Sequence, residues 1–156
     1  MALPSPPPPS RKREGEIRFA GYAAVFDRVD RGGDVVRAGA FAASLRVRRA
    51  VPLLWQHRPG AVIGVIETLA EDARGLRVVA RVTHPTAAAL VARGALTGLS
   101  FGYRVTASRG KGPRELTGLD LAEVSLVAMP MQPLTRVIAV DVDGECEVAP
   151  PSPSFA

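Results

Sequence analysis

Gly98-Leu99-Ser100-Phe101-Gly102-Tyr103 sets one hydroxyl between two glycines, in a stretch that otherwise has the pattern of a buried strand. Leu99, Phe101, Tyr103 and Val105 alternate with Gly98, Ser100, Gly102 and Arg104. That is the period of two expected of a strand with unlike faces. The apolar set can be buried, while the face around Ser100 carries almost no bulk and is open to close approach by another molecule. A nucleophile acting on a peptide carbonyl needs that access. The same residues match the G-x-S-x-G elbow of α/β-hydrolases, where the acid and then the histidine follow the serine. Here the only histidines, His57 and His84, both precede Ser100, and the chain is short for such a sheet with its helices. The order of residues rejects that assignment.

Working outward from Ser100, the neighbouring segments read as strands. Upstream, His84-Pro85-Thr86 opens a helix running through Arg93, with proline at the first helical position and Gly94 at its end. Before it, Ala61 to Leu69 and Leu76 to Thr83 flank the turn Glu71-Asp72-Ala73-Arg74-Gly75, a hairpin signal. Val51 to Gln56 is a short apolar strand ending at His57 and broken by Arg58-Pro59-Gly60. Gly39 to Leu45 fits a short helix, with Phe41 and Leu45 four apart on one face. Glu16 to Phe26 is a first strand, with Ile17, Phe19, Tyr22 and Val25 as buried candidates and Gly21 marking a bulge. Asp27 to Gly33 is a charged loop.

Downstream, a polar loop from Ala107 to Arg114 leads into a strand over Leu116 to Met129. Strict alternation there puts Leu119, Leu121, Glu123, Ser125 and Val127 on one face. Arg136 to Val142 reads as the last strand. Six or seven short strands with two short helices predict a mainly β (α+β) fold, a small antiparallel barrel or wrapped sheet. The expected domain spans residues 14–142. Residues 1–13 are Pro/Ser-rich and then basic, and residues 143–156 end in a Pro/Ser-rich tail. Both read as disordered tails with too few apolar side chains to offset the entropy of ordering.

Composition narrows the class. The chain has 156 residues, 47% of them hydrophobic and 22% charged, enough for one domain with a core. No apolar run reaches the roughly 20 residues that span a bilayer, and the proline-rich start lacks the apolar centre of an export signal. No membrane association is expected. The single cysteine, Cys146, excludes an internal disulfide and suits a reducing cytosol; it reads as an inert bystander. The net charge of +5 invites a nucleic-acid reading. All but Lys12 and Lys111 of the basic residues are arginine, however, and they are dispersed, with Arg46, Arg48 and Arg49 the densest folded cluster. Without a stacking-aromatic or helix-turn-helix pattern, no specific nucleic-acid site is expected. No cofactor or metal is expected either: His57 and His84 lack ligand spacing, and Gly32-Gly33 is not a phosphate loop.

A serine nucleophile needs a base, and the base needs a partner that fixes its tautomer. His57, at the end of an apolar strand, is the better base candidate. His84, before a proline at a helix start, suits a capping or surface role. Taken alone, a histidine is more often structural than catalytic. Glu123 lies in a strand apolar on both faces, where a carboxylate is costly unless paired. It would either pair with an arginine or hold a histidine N–H, and Ser125 could help orient it. Spacing alone leaves both readings open.

Together these stretches resemble the prohead maturation protease family of tailed bacteriophages and gene transfer agents. The matching segments are Gly21-Tyr22-Ala23-Ala24-Val25-Phe26, Gly33-Asp34-Val35-Val36, Gly39-Ala40-Phe41 and Leu53-Leu54-Trp55-Gln56-His57. Ile63-Gly64, Arg74-Gly75-Leu76, the Ser100 stretch, Leu121-Ala122-Glu123-Val124-Ser125-Leu126-Val127 and Pro130 continue them in order, over roughly Glu16 to Val140. The resemblance implies a serine peptidase with a fold similar to the herpesvirus assemblins, a β-barrel with surrounding helices. It puts the nucleophile on Ser100, the histidine on His57 and the third member on Glu123, with Ser125 and Asp120 as neighbouring alternatives. Assemblins use a second histidine there. It also implies that the enzyme acts in the host cytoplasm inside the immature capsid, cutting a scaffolding segment from the major capsid protein and often itself. By analogy with assemblins, a homodimer stays open. Arg136 or the turn Met129 to Gln132 are candidates for the oxyanion site. The alternative is a non-catalytic capsid-assembly or scaffold-like protein with the same fold.

Overall fold

The computed structural model describes residues 15–47, 49–142 and 145–148. Residues 1–13 and most of 143–156, and with them the tail reading, lie outside the described residues, as does Arg48 of the basic cluster. Among the described residues nine strands form one sheet: β1 (Ile17–Val25), β2 (Asp34–Val36), β3 (Leu53–Trp55), β4 (Val62–Glu71), β5 (Gly75–Val82), β6 (Gly98–Arg109), β7 (Arg114–Val127), β8 (Val137–Val142) and β9 (Glu145–Val148). Two short helices, α1 (Ala42–Arg46) and α2 (Pro85–Ala92), pack against it. No helix among the described residues is long and apolar enough to cross a membrane.

Hydrogen-bonded neighbours follow the order β2-β7-β3-β4-β5-β1-β8-β9, with β6 paired to β7 off this path. The fold is mainly β with few helices, as the strand pattern predicts, but the sheet is open rather than a closed barrel. Across the gap, Gly98 forms an isolated bridge to Arg136, and the Tyr22 N–H donates to the Arg136 carbonyl. The sheet is also mixed, since β2 and β3 both pair with β7 in parallel. The two follow each other along one edge of β7, while β6 covers the other edge along nearly its whole length. β9 continues the ladder past Val142, where the sequence reading ended the domain.

The alternation of β6 buries the first part of its apolar row as predicted: Leu99 is fully buried and Phe101 packs on the core, edge-on to Phe41 at 5.2 Å, whereas Tyr103, expected in the same row, is 38% exposed past the register shift at Gly102. Leu53, Leu76, Val78, Leu116, Leu121, Val124 and Leu126 join Leu99 and Phe101. Each such side chain contributes about 1.5–3 kcal/mol relative to exposure. Tyr22 corrects the sequence reading. A register shift between Tyr22 and Ala24 turns Ala23 and Ala24 inward, and the Tyr22 hydroxyl instead donates to Asp72 at 2.5 Å. A second irregularity falls between Ala20 and Gly21, where the glycine predicts it.

Ion pairs pin the start of β7. Arg114 holds Asp34 with two bonds of 3.0 and 2.9 Å, and Glu115 accepts from Arg37 at 2.7 Å and from Arg109 at 2.9 Å. Arg114 lowers the Asp34 carboxyl pKa, Arg109 and then Arg37 lower that of Glu115, and the Tyr22 hydroxyl lowers that of Asp72. An acid whose pKa is depressed by folding stabilises above its unfolded pKa, and that stabilisation is lost as pH falls through the folded value. The melting temperature is therefore expected to fall on acidification below about pH 4, where model carboxylates titrate. Scanning calorimetry across pH 2 to 7, round bounds for that range, checks it. A melting temperature that rises on acidification would contradict the role of these pairs.

Candidate active site

β6 and β7 build the site. Ser100 lies directly opposite Ser125, and Gly102 opposite Glu123. Opposed residues of an antiparallel pair share a face, with Cβ atoms roughly 4.5–5.5 Å apart. Ser100, Gly102, Glu123 and Ser125 therefore occupy one face, away from the Leu99, Phe101, Val124 and Leu126 row.

This corrects the strict alternation read along β7. Tyr103 pairs with Leu121 and Gly102 with Glu123, so Ala122 is an extra, unpaired residue, a β-bulge. Leu119 and Leu121 face the core before the bulge, and Val124 and Leu126 face it afterwards. The extra residue flips the phase and turns Glu123 and Ser125 out of the core, onto the face of Ser100.

His57 arrives from the other edge of β7. Leu54 pairs with Ser125 and Trp55 with Leu126, and the next residue, Gln56, donates its N–H to the Leu126 carbonyl. The chain then turns sharply: Gln56 has φ 48° and His57 φ 59°, the left-handed region that costs non-glycine residues roughly 1–2 kcal/mol each. The turn is held from β7. The Gln56 side-chain oxygen accepts from Ala128 N–H at 3.1 Å, and the His57 N–H donates to Ser125 Oγ at 3.1 Å. The His57 ring then meets Glu123, Nδ1 to Oε1, at 2.5 Å.

Thus His57 and Glu123 are brought into contact, the sharper of the two readings of Glu123. Ser100 stands on the same face, 6% exposed, and its hydroxyl makes no hydrogen bond to the His57 ring among the described residues. The His57 side chain is 43% exposed, so the ring can be reached from solvent, whereas that of Glu123 is 13% exposed. Asp120, the other carboxylate considered, pairs with Arg49 at 2.6 Å instead. His84 caps α2, its Nδ1 accepting from Ala87 N–H at 3.5 Å. Ser100 also borders a small cavity whose wall includes Arg28, Asp30, Met131, Gln132 and Thr135. The segment before β8 abuts it, since the Leu99 N–H donates to the Thr135 carbonyl.

The glycines flanking Ser100 serve a purpose that the sequence reading did not assign. A Cβ at Gly98 would lie 2.4 Å from the Val127 carbonyl oxygen and 3.0 Å from Pro130. One at Gly102 would lie 2.4 Å from Glu123 Oε1 and 2.9 Å from its Cγ and Cδ. The space beside Ser100 is thus filled by the Glu123 side chain itself, on its way to His57. Gly102→Ala is expected to fold, because the obstructed atoms belong to a flexible side chain. Displacing the carboxylate should break its contact with the His57 ring. The His57 ring proton resonances beside a melting curve would show it, and resonances unchanged from wild type would contradict it.

The architecture is one shared with the herpesvirus proteases. The protease of Kaposi's sarcoma-associated herpesvirus, solved with a hexapeptide phosphonate inhibitor, superposes with a TM-score of 0.54 at 17% identity. That match covers 82% of this chain and 66% of the other. Varicella-zoster virus protease gives a TM-score of 0.54 at 16% identity, over 78% of this chain and 63% of that one. A model of the caudovirus prohead serine proteases matches residues 8–146, and the chain belongs to that family. The prohead protease of Enterobacteria phage HK97 is 37% identical over 94 residues, 56% of this chain and 42% of that protein. The chain therefore spans less than half the length of this phage relative.

Proposed function

We propose that the chain is a serine endopeptidase of prohead maturation, with Ser100 as nucleophile, His57 as general base and Glu123 as the group that orients His57. The observation that carries this reading is the imidazole–carboxylate contact on the face that bears Ser100, in a chain of the prohead serine protease family. The Nδ1–H donated to Glu123 leaves Nε2 unprotonated, ready to take a proton. Nε2 takes the Ser100 proton as Oγ bonds to the scissile carbonyl carbon, giving a tetrahedral oxyanion. His57 returns that proton to the leaving nitrogen as the C–N bond breaks, and water cleaves the resulting ester by the same steps in reverse roles. Glu123 stays ionised and offsets the imidazolium charge at each stage. Oxyanion donors are sought at Arg136 or in the turn Met129 to Gln132, next to Ser100. Each donor is worth on the order of 3 kcal/mol in better-studied cases.

The substrate is the scaffolding segment of the major capsid protein, with the chain itself as a second substrate. The site of action is the interior of the immature capsid in the host cytoplasm. Co-expression of the phage's major capsid protein with this chain tests the assignment. Intact-mass analysis should give a shortened capsid protein with wild type and a full-length one with Ser100→Ala. Identical masses in the two would overturn it and favour the non-catalytic assembly role.

A further inference from the structure

We propose that Ser125 is a positioning residue for the same reaction, the pin that fixes base and acid to each other; this rests on the peptidase reading above. Ser125 lies on the outward face of β7 yet is fully buried, because the Gln56–His57 turn folds over it. Its hydroxyl is bonded on both sides. It donates to Glu123 Oε2 at 2.5 Å and accepts the His57 backbone N–H at 3.1 Å. A serine hydroxyl has one proton, and a backbone N–H can only donate. The Ser125 proton is therefore committed to the carboxylate.

The geometry closes a ring: Ser125 to Glu123, Glu123 to the His57 imidazole, His57 backbone back to Ser125. Glu123 then has one oxygen for each donor, Oε2 for the hydroxyl and Oε1 for Nδ1–H, so its carboxylate cannot rotate without breaking a bond. His57 is held at both ends, by its backbone and by its ring. Ser125 joins the two groups whose separation sets the tautomer of the base.

The test compares wild type, Ser125→Ala, Ser125→Cys, Ser125→Thr and Ser100→Ala in peptide hydrolysis, with active sites counted by phosphonate titration. Ser125→Ala is expected to lower kcat about 10- to 100-fold with KM nearly unchanged, as losing a supporting hydrogen bond does elsewhere. Ser125→Cys, which keeps the shape but donates weakly, should fall between, and Ser125→Thr, which keeps the hydroxyl, should recover most of the rate. The downfield proton resonance of His57 Nδ1–H should persist in Ser125→Thr and broaden in Ser125→Ala. Should Ser125→Ala fail to fold, Ser125→Cys carries the comparison. A drop in melting temperature with kcat per titrated site unchanged would overturn the inference while leaving the peptidase reading intact. No hydrolysis by wild type would overturn the peptidase reading, and hydrolysis undiminished in Ser100→Ala would remove Ser100 as its nucleophile; either result would overturn the inference with it.

Discussion

Purified Ser100→Ala protein is expected to lose peptide hydrolysis by on the order of 10⁶-fold in kcat, yet to melt at the wild-type temperature. The split follows from how the hydroxyl is held. Ser100 is 6% exposed, and its Oγ takes no part in the Ser125–Glu123–His57 ring of hydrogen bonds. Removing it breaks no bond that the fold uses, and an alanine methyl fits where the serine Cβ already sits. The core under it is made by Leu99 and Phe101 on the opposite face, which the substitution leaves alone. Kinetics and calorimetry on the same sample check both halves. Retained hydrolysis would remove Ser100 from the mechanism, and a large loss of stability would mean that its hydroxyl is a structural group.

Replacing Glu123 by glutamine is expected to lower kcat by on the order of 10³–10⁴, as neutralising the carboxylate of a serine-protease triad does elsewhere. Both neighbours of this carboxylate donate to it, His57 through Nδ1–H and Ser125 through its hydroxyl. A glutamine amide offers one acceptor oxygen and one NH₂. With the NH₂ toward His57, the imidazole must carry its proton on Nε2, the nitrogen needed as base. With the oxygen toward His57 the tautomer survives, but the imidazolium formed on attack loses its counter-charge. Either orientation slows the chemistry, and the side-chain volume hardly changes, so the protein should remain folded. A variant within tenfold of wild type would show that another group orients His57.

Much of this arrangement could be read from the sequence because it is local. The alternation through Leu99, Phe101 and Tyr103 fixes which face of β6 holds Ser100, and Pro85 after His84 marks the start of α2. The order His57, Ser100, Glu123 along the chain also needs no coordinates. What escaped was non-local or a break in period. The parallel pairing of β2 and β3 with β7 joins segments 80 and 71 residues apart at Asp34–Arg114 and Leu53–Val124, and no turn signal announces it. The bulge at Ala122 was visible only as a stumble in spacing, with apolar core positions at 119, 121, 124 and 126. A strand apolar on both faces reads equally well as fully buried, so the shift in phase that exposes Glu123 and Ser125 to His57 was passed over. The role of Gly102 was missed for a related reason: the chain shows an absent side chain, not the carboxylate that fills its place.

The claim on which all of this depends is that the His57 imidazole activates the Ser100 hydroxyl. Its most direct test is the rate at which a serine-directed peptide phosphonate modifies the wild-type and His57→Ala proteins, with the adduct located by peptide mass mapping. The account predicts one adduct, on Ser100, formed at least about 100-fold more slowly without the imidazole, the lower range for a general base. An adduct on another residue, or equal rates in the two proteins, would contradict it.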